Sequence, residues 1–297
     1  MNTHTTLPPR IVGSKARVYN AFDAVIMMLL PRAKMYRALE RSIRSDQEKL
    51  LALETGAARN IRRVYGRDPS FSAYASVPAQ FCLIHLDAFG ENPFHPVARA
   101  AAADLARVFQ WLKIADIFVD DAGGLRVANL QRLGDLVHER VAPGSDVELF
   151  LVEGYAGMPP VWRSYLSEAY RCETQQYEVG DAQRLVLRGE QSLALGELQY
   201  EILRDRFESL PLRAKSFFRL SAKAAGYLDD WRDFQIDRAS GYGYRADFRR
   251  KLFFAAIKYT WESVKILKGR ERRRHFQCLA LAGLYMVRQF LGVRRPT

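Results

Sequence analysis

The stretch Leu228-Asp229-Asp230-Trp231-Arg232-Asp233-Phe234-Gln235-Ile236-Asp237-Arg238, followed by Gly241-Tyr242-Gly243, decides how the rest of the chain is read. In a helix, Asp229, Asp233 and Asp237 recur every four residues and project from one face, gathering negative charge at close range. Gly241 and Gly243 read as a helix stop, so the carboxylates lie in the last turns, where the helix dipole also disfavours anions. Such a cluster asks for cations. Upstream, Phe218, Ala222 and Gly226 occupy the same four-residue step and are small or apolar, so the aspartates are expected to continue a buried face.

A second acidic patch is built the same way. Between about Pro96 and Asp121 the apolar positions Leu105, Val108/Phe109 and Leu112 mark an inward face, and four-residue steps from Leu112 reach Asp116 and Asp120. Asp121 adjoins them, and Gly123-Gly124 reads as the stop. Two such patches, just over a hundred residues apart, predict facing helices across one cavity.

The remaining pattern is helical throughout and predicts an all-α fold, a single-domain bundle around a central pocket over residues 16–297 behind a flexible arm, 1–15. Apolar periodicity predicts helices from Ala16 to Leu30, Met35 to Ile43 and Asp46 to Tyr65, and one starting close to Pro78 and ending before Gly90-Glu91-Asn92-Pro93. Later helices are expected at Val127 to Val141, Trp162 to Leu187, Gln191 to Phe207, Ser209 to Arg238, Arg249 to Lys268 and Arg274 to Leu291. Val147 to Ala156 fits helix or strand equally. Ser192 and Gly196 permit close packing or a break.

Of 297 residues, 48% are hydrophobic and 12% aromatic, enough for a substantial core. Cys82, Cys172 and Cys278 stand apart, with no CxxC pair, which argues against structural zinc and a disulfide framework. No early run is apolar enough to span a bilayer, so a soluble, cytoplasmic protein is expected. The formal charge of +12 is concentrated: Arg245 to Thr297 carries 14 Lys+Arg against 3 Asp+Glu. That basic end implies an anionic partner, and diphosphate, a membrane surface or nucleic acid would each serve.

Hard dications such as Mg²⁺ take oxygen ligands and share a few carboxylates with a substrate's phosphates. Asp116, Asp120 and Asp121 opposite Asp229, Asp230, Asp233 and Asp237 would suit such ions, and Arg232, Arg238 and Arg245 would meet phosphate oxygens as fixed charged donors. Phe109, Phe118, Phe217, Phe218 and Tyr227 could line an apolar pocket whose π faces stabilise a carbocation. This inventory favours metal-assisted departure of diphosphate from an allylic carbon.

The same residues resemble the class I isoprenoid synthases. Arg232-Asp233-Phe234-Gln235-Ile236-Asp237 with Gly241 is similar to the second aspartate motif of squalene and phytoene synthases, and Asp116-Ile117-Phe118-Val119-Asp120-Asp121 to their first. From Asp229, the Asp-x-x-x-Asp-x-x-x-Asp-Arg pattern resembles the large terpene synthases of the tetraprenyl-curcumene type, as does His275-Phe276 through Ala282-Gly283-Leu284-Tyr285. Asp229-Asp230-x-x-Asp233 also matches the DDxxD of chain-elongating prenyl transferases. The resemblance implies Mg²⁺ dependence, the two acidic motifs as metal ligands, and Asp116, Asp233 and Arg238 at the chemistry of an isoprenoid diphosphate substrate. It departs from the pattern where the first motif lacks DDxxD and where no tyrosine-rich entry segment is evident.

The implied enzyme is a terpene synthase that cyclises or eliminates, with a head-to-head or chain-elongating prenyl transferase as the alternative. A reading from another class is a non-enzymatic helical protein whose basic end docks on nucleic acid or anionic lipid. No groove-reading module is recognisable, which disfavours nucleic acid. Each singled-out residue also has an ordinary role: acidic i,i+4 residues pair with neighbouring Lys or Arg at a surface, buried Phe and Trp fill core, and His85 sits in an apolar helix as a packed histidine.

Overall fold

Alternation of apolar and polar residues at helical spacing is realised from end to end of what is described. The computed structural model describes residues 56–65, 82–120, 126–239 and 247–276, with 38, 41, 42 and 45. Within these the protein is all-α, and no strand occurs among the described residues. The helices are α1 (Gly56–Tyr65), α2 (82–89), α3 (Pro96–Asp120), α4 (Arg126–Val137), α5 (Asp146–Ala156), α6 (Pro160–Gln176), α7 (Asp181–Arg204), α8 (Leu212–Ala239), α9 (Phe248–Ile266) and α10 (269–276). The expected arm at 1–15 and the helix at 16–30 lie outside the described residues, as do both Gly-rich stops after the acidic patches.

Local chemistry sets several boundaries. Gly90 ends α2 at φ +101°, a left-handed conformation that glycine adopts without a Cβ clash. The segment 147–156, ambiguous in sequence, is helical because Ser145 caps it: its side chain accepts from the Glu148 amide at 3.3 Å, while the Glu148 carboxylate takes the Gly144 amide at 2.6 Å. Such a cap contributes about 1 kcal/mol and forbids an extended start. The predicted helix Trp162 to Leu187 is instead two, α6 and α7, broken at residues 177–180. Arg184 closes that turn, donating to the carbonyls of Gln176 at 3.0 Å and Val179 at 3.1 Å. Those end-of-helix oxygens would otherwise lack donors.

The helices pack in sequence: α6 lies on α7, α7 on α8, and α8 on α9, while α3 contacts α4, α5 and α7. The small residues noted on α7 permit close packing, not a break. A Cβ at Gly196 would lie 2.7 Å from the Phe218 carbonyl oxygen, and one at Gly226 would lie 2.1 Å from Ser192 Oγ. Helices α7 and α8 therefore meet at backbone distance, and any larger residue there forces them apart.

The main core joins α2, α3 and α5 to α7 and α8 through Leu83, Leu86, Leu105, Ile114, Leu151 and Phe217, all essentially without exposure. Burying such a side chain contributes about 2–3 kcal/mol each. Within it, His85 and His275 lie 5.5 Å apart between rings, with Phe217 edge-on to both at 4.8 and 5.0 Å. A second cluster, Tyr227, Phe234, Phe248, Leu252 and Ala256, seals α8 against α9. Cys82 and Cys172 are free and buried, and burial pushes the Cys82 thiol far above its ordinary range, so neither serves as a disulfide or an exposed nucleophile.

Candidate functional site

Helix α3 ends at Asp120 and α8 carries Asp229 and Asp230, and between those ends α6 and α7 present polar residues from their packed faces. Glu173 and Gln176 on α6, and Arg188 and Gln191 on α7, stand three residues apart and so share one side of each helix. Because the short turn at 177–180 folds α7 back along α6, these two polar edges meet.

They form one continuous chain of contacts. Asp120 pairs with Arg126 at the start of α4. Arg126 reaches Glu173 at 3.3 Å, and its guanidinium lies over the Tyr177 ring at 5.7 Å. Glu173 accepts from the Tyr177 hydroxyl at 3.2 Å and from Gln191 at 2.9 Å. The Gln191 carbonyl accepts from Gln176 at 3.0 Å and Arg188 at 2.7 Å, and Arg188 donates to Asp230 at 2.6 Å. A carboxylate of the first acidic patch is thereby connected to one of the second by a chain that spans five helices and includes two arginines.

Exposure separates the members. Asp116 and Asp120 keep 41% and 49% of their side chains exposed, so both sit at the margin where an inward face was expected. Asp116 pairs with Lys113 at 2.7 Å, one turn back on the same helix. In the second patch it is Asp230 that turns inward, at 10% side-chain exposure, whereas Asp229 stays 40% exposed and pairs with Arg232 at 2.7 Å. The buried step thus runs through Asp230 and not along the Asp229 edge of the helix.

Burial and charge tune these groups in opposite senses. Burial, aided by Asp229 and Glu173, raises the Asp230 carboxyl to about 6 even though Arg188 beside it pulls the other way. Burial and the Asp116 charge likewise raise Asp120, against Arg126 and Lys113. For Arg188, burial works against the cation, yet Asp230 and Glu173 outweigh it and hold the guanidinium well above its usual range. Glu173 acts on Asp120, Arg188 and Asp230 alike, so it lies within electrostatic reach of both patches.

The other predicted residues fall as follows. Asp121 and Arg245 lie outside the described residues, and so do the side chains of Asp233, Asp237 and Arg238, whose backbone is helical in α8. Arg232 is exposed. Phe109 and Phe218 are packed in the main core, and Tyr227 is buried with its hydroxyl donating to the Leu185 carbonyl at 2.9 Å. A cavity of about 310 Å³ opens between residues 136–143 and Val152, and none of the predicted site residues lines it.

Among the described residues no group of three His, Cys, Asp or Glu is gathered closely enough to hold a metal by itself. The donors present are all oxygens, the set suited to Mg²⁺, which binds through one or two carboxylates with substrate phosphates completing its shell. Asp116, Asp120, Glu173, Asp229 and Asp230 are the carboxylates of the chain of contacts and of the two acidic patches whose side chains are described. Sequence reasoning missed Glu173, Gln176, Arg188 and Gln191. Their signal was polar residues at three-residue spacing beside Gly189, Ser192 and Gly196, small residues that mark a face too tightly packed for solvent.

Compared with protein-family models, curated proteins and solved structures, the chain matches none.

Proposed function

We propose that this protein is a Mg²⁺-dependent enzyme that ionises an isoprenoid diphosphate and cyclises or eliminates the resulting cation to a terpene. One observation supports the reading: carboxylates from two helices far apart in sequence are joined by a single chain of contacts that holds Arg126 and Arg188 between them. Carboxylates and guanidinium groups in alternation are the two parts that a metal–diphosphate complex needs.

In this reading Asp116, Asp120, Asp229 and Asp230 hold the ion, joined by Asp121, Asp233 and Asp237 from the same two sequence patches. Bound Mg²⁺ would supply the charge that makes diphosphate a leaving group. Arg126 and Arg188 are already held against carboxylates and have planar donors that match phosphate oxygens, as do Arg232, Arg238 and Arg245. Tyr177 and Gln191 orient the Glu173 carboxylate so that it faces Arg126.

The test is Mg²⁺-dependent release of diphosphate from farnesyl or geranylgeranyl diphosphate. Asp116→Ala and Asp233→Ala are expected to keep the helical circular dichroism and thermal transition of the parent while losing at least 100-fold in release rate, on the scale of lost transition-state electrostatics. Full activity in both variants, or no release by the parent, rejects the reading. Product mass decides the subclass: the substrate's own carbon number indicates cyclisation or elimination, and twice that number a head-to-head prenyl transferase.

A further inference from the structure

Helix α9 is amphipathic twice over. Phe248, Leu252 and Ala256 are buried in the cluster that packs α9 on α8. The opposite side should then be polar, as on any helix at the edge of a bundle. It is not: Phe254, Ile257 and Trp261 are 55%, 50% and 56% exposed, and Phe253 beside them is 37% exposed. At 100° per residue, 253, 257, 261 and 254 fall within one arc of about 100°.

Arg250, one turn before Phe254, opens the stripe, and Lys258 and Lys265 run along one flank, all exposed, with Lys265 also paired to Glu262 at 2.9 Å. Lys268 follows at the helix end, and the segment from Arg245 onward carries nearly all the formal charge of the protein. No described helix is long and apolar enough to cross a membrane.

We infer that the exposed face of α9 docks on an anionic lipid surface, with Phe254, Ile257 and Trp261 entering the headgroup–acyl boundary and Arg250, Lys258 and Lys265 meeting lipid phosphates. The charge pattern selects this occupant. A nucleic-acid backbone needs cations spread over the contact, whereas here Phe253, Phe254, Ile257 and Trp261 form the body of the stripe and the cations lie at its start and along one flank, an arrangement that sets acyl chains beside headgroups. A second copy of the chain would bring like-charged flanks together, which repel. Trp261 sits at the rim of the stripe, in the position favoured for indole at a membrane interface. This inference does not depend on the enzymatic reading, and its readout is free of catalysis.

The experiment is co-sedimentation of the full chain with vesicles of phosphatidylcholine containing about 30% phosphatidylserine, against phosphatidylcholine alone. Association is expected with the anionic vesicles, falling steeply as salt is raised, with a blue shift of tryptophan emission. Ile257→Ser with Trp261→Ser is expected to weaken it more than tenfold, and Lys258→Ala with Lys265→Ala about 25-fold, since each lysine near a charged leaflet strengthens binding about fivefold. All four side chains are exposed, so the variants keep their fold, checked by circular dichroism. Undiminished binding by the serine variant overturns the proposal. So does a parent that stays in the supernatant at low salt, whether it is found there as a dimer through this face or bound to added RNA.

Discussion

The chain of side chains from Asp120 to Asp230 and the cluster around His85 and His275 both place ionisable groups in the interior, yet they treat charge differently. Along the first, every charged group meets another: Arg126 lies between Asp120 and Glu173, and Arg188 is held at 2.6 Å from Asp230. In the second, His275 is 2% exposed and neither of its ring nitrogens finds a hydrogen-bond partner among the described residues, so the ring stays neutral among aromatics. Burial lowers the His275 pKa to about 4, and burial with the neighbouring His275 holds that of His85 well below its ordinary value. A buried ionisable group keeps its charge where an opposite charge is built beside it, as at Arg188, and gives it up where burial dominates, as at His275. The two regions show both outcomes in one fold.

The sharpest way to break this contrast is to remove the central cation. Arg188→Met removes the guanidinium held at 2.6 Å from Asp230, while Glu173 keeps Arg126, and is expected to cost about 3 kcal/mol in urea unfolding, the scale of a buried pair deprived of one member. The Asp230 carboxyl should then titrate above its present value of about 6, seen by carboxyl-carbon NMR. A variant as stable as the parent would show that the chain carries no structural weight.

A second experiment uses the opposite pH signs of the two regions. His275 titrates near 6.5 when unfolded and near 4 when folded, so its contribution is complete above pH 6.5 and is lost as pH falls toward 4. At about 1.4 kcal/mol per pH unit the loss amounts to roughly 3 kcal/mol, and His275→Phe should remove it. Asp230 is raised from 3.8 to about 6, so its contribution runs the other way, present at low pH and lost as pH rises through 6. Stability profiles of His275→Phe and Asp230→Asn between pH 4 and 7 should therefore differ from the parent with opposite slopes. Slopes of the same sign would end the comparison.

The smallest expected effect marks where the polar chain stops. Asp116 is 41% exposed and pairs only with Lys113 in what is described of its ion pairs, so Asp116→Ala should change stability by about 0.5 kcal/mol or less. A larger loss on thermal unfolding would place Asp116 inside the network.

Much of the fold was readable without coordinates because helical spacing, breakers and caps act over a few residues. The helix ending near Asp120, the helix carrying Asp229 and Asp230, and the stop at Gly90 all follow from local pattern. Where a local signal was overlooked, the reading stayed open or failed: Ser145 and Glu148 make a capping pair that settles 147–156 as helix, and Gly180 with Arg184 divides the segment predicted as one helix. The site was legible only at its two ends. Glu173, Gln191 and Arg188 are polar residues on long helices, and the small residues beside them on α7 mark close packing without saying which helix is the neighbour. Their partial burial follows from α7 lying against both α6 and α8, the second approach permitted by Gly196 and Gly226.

The amino-acid sequence alone determined the helical class, the two acidic stretches and the basic end, since each depends on residues close together along the chain. Tertiary structure alone decided which acid is buried. Asp229 and Asp230 are neighbours, but successive helix residues point about 100° apart, so one meets Arg232 on its own helix and the other meets Arg188, 42 residues away on the helix packed alongside.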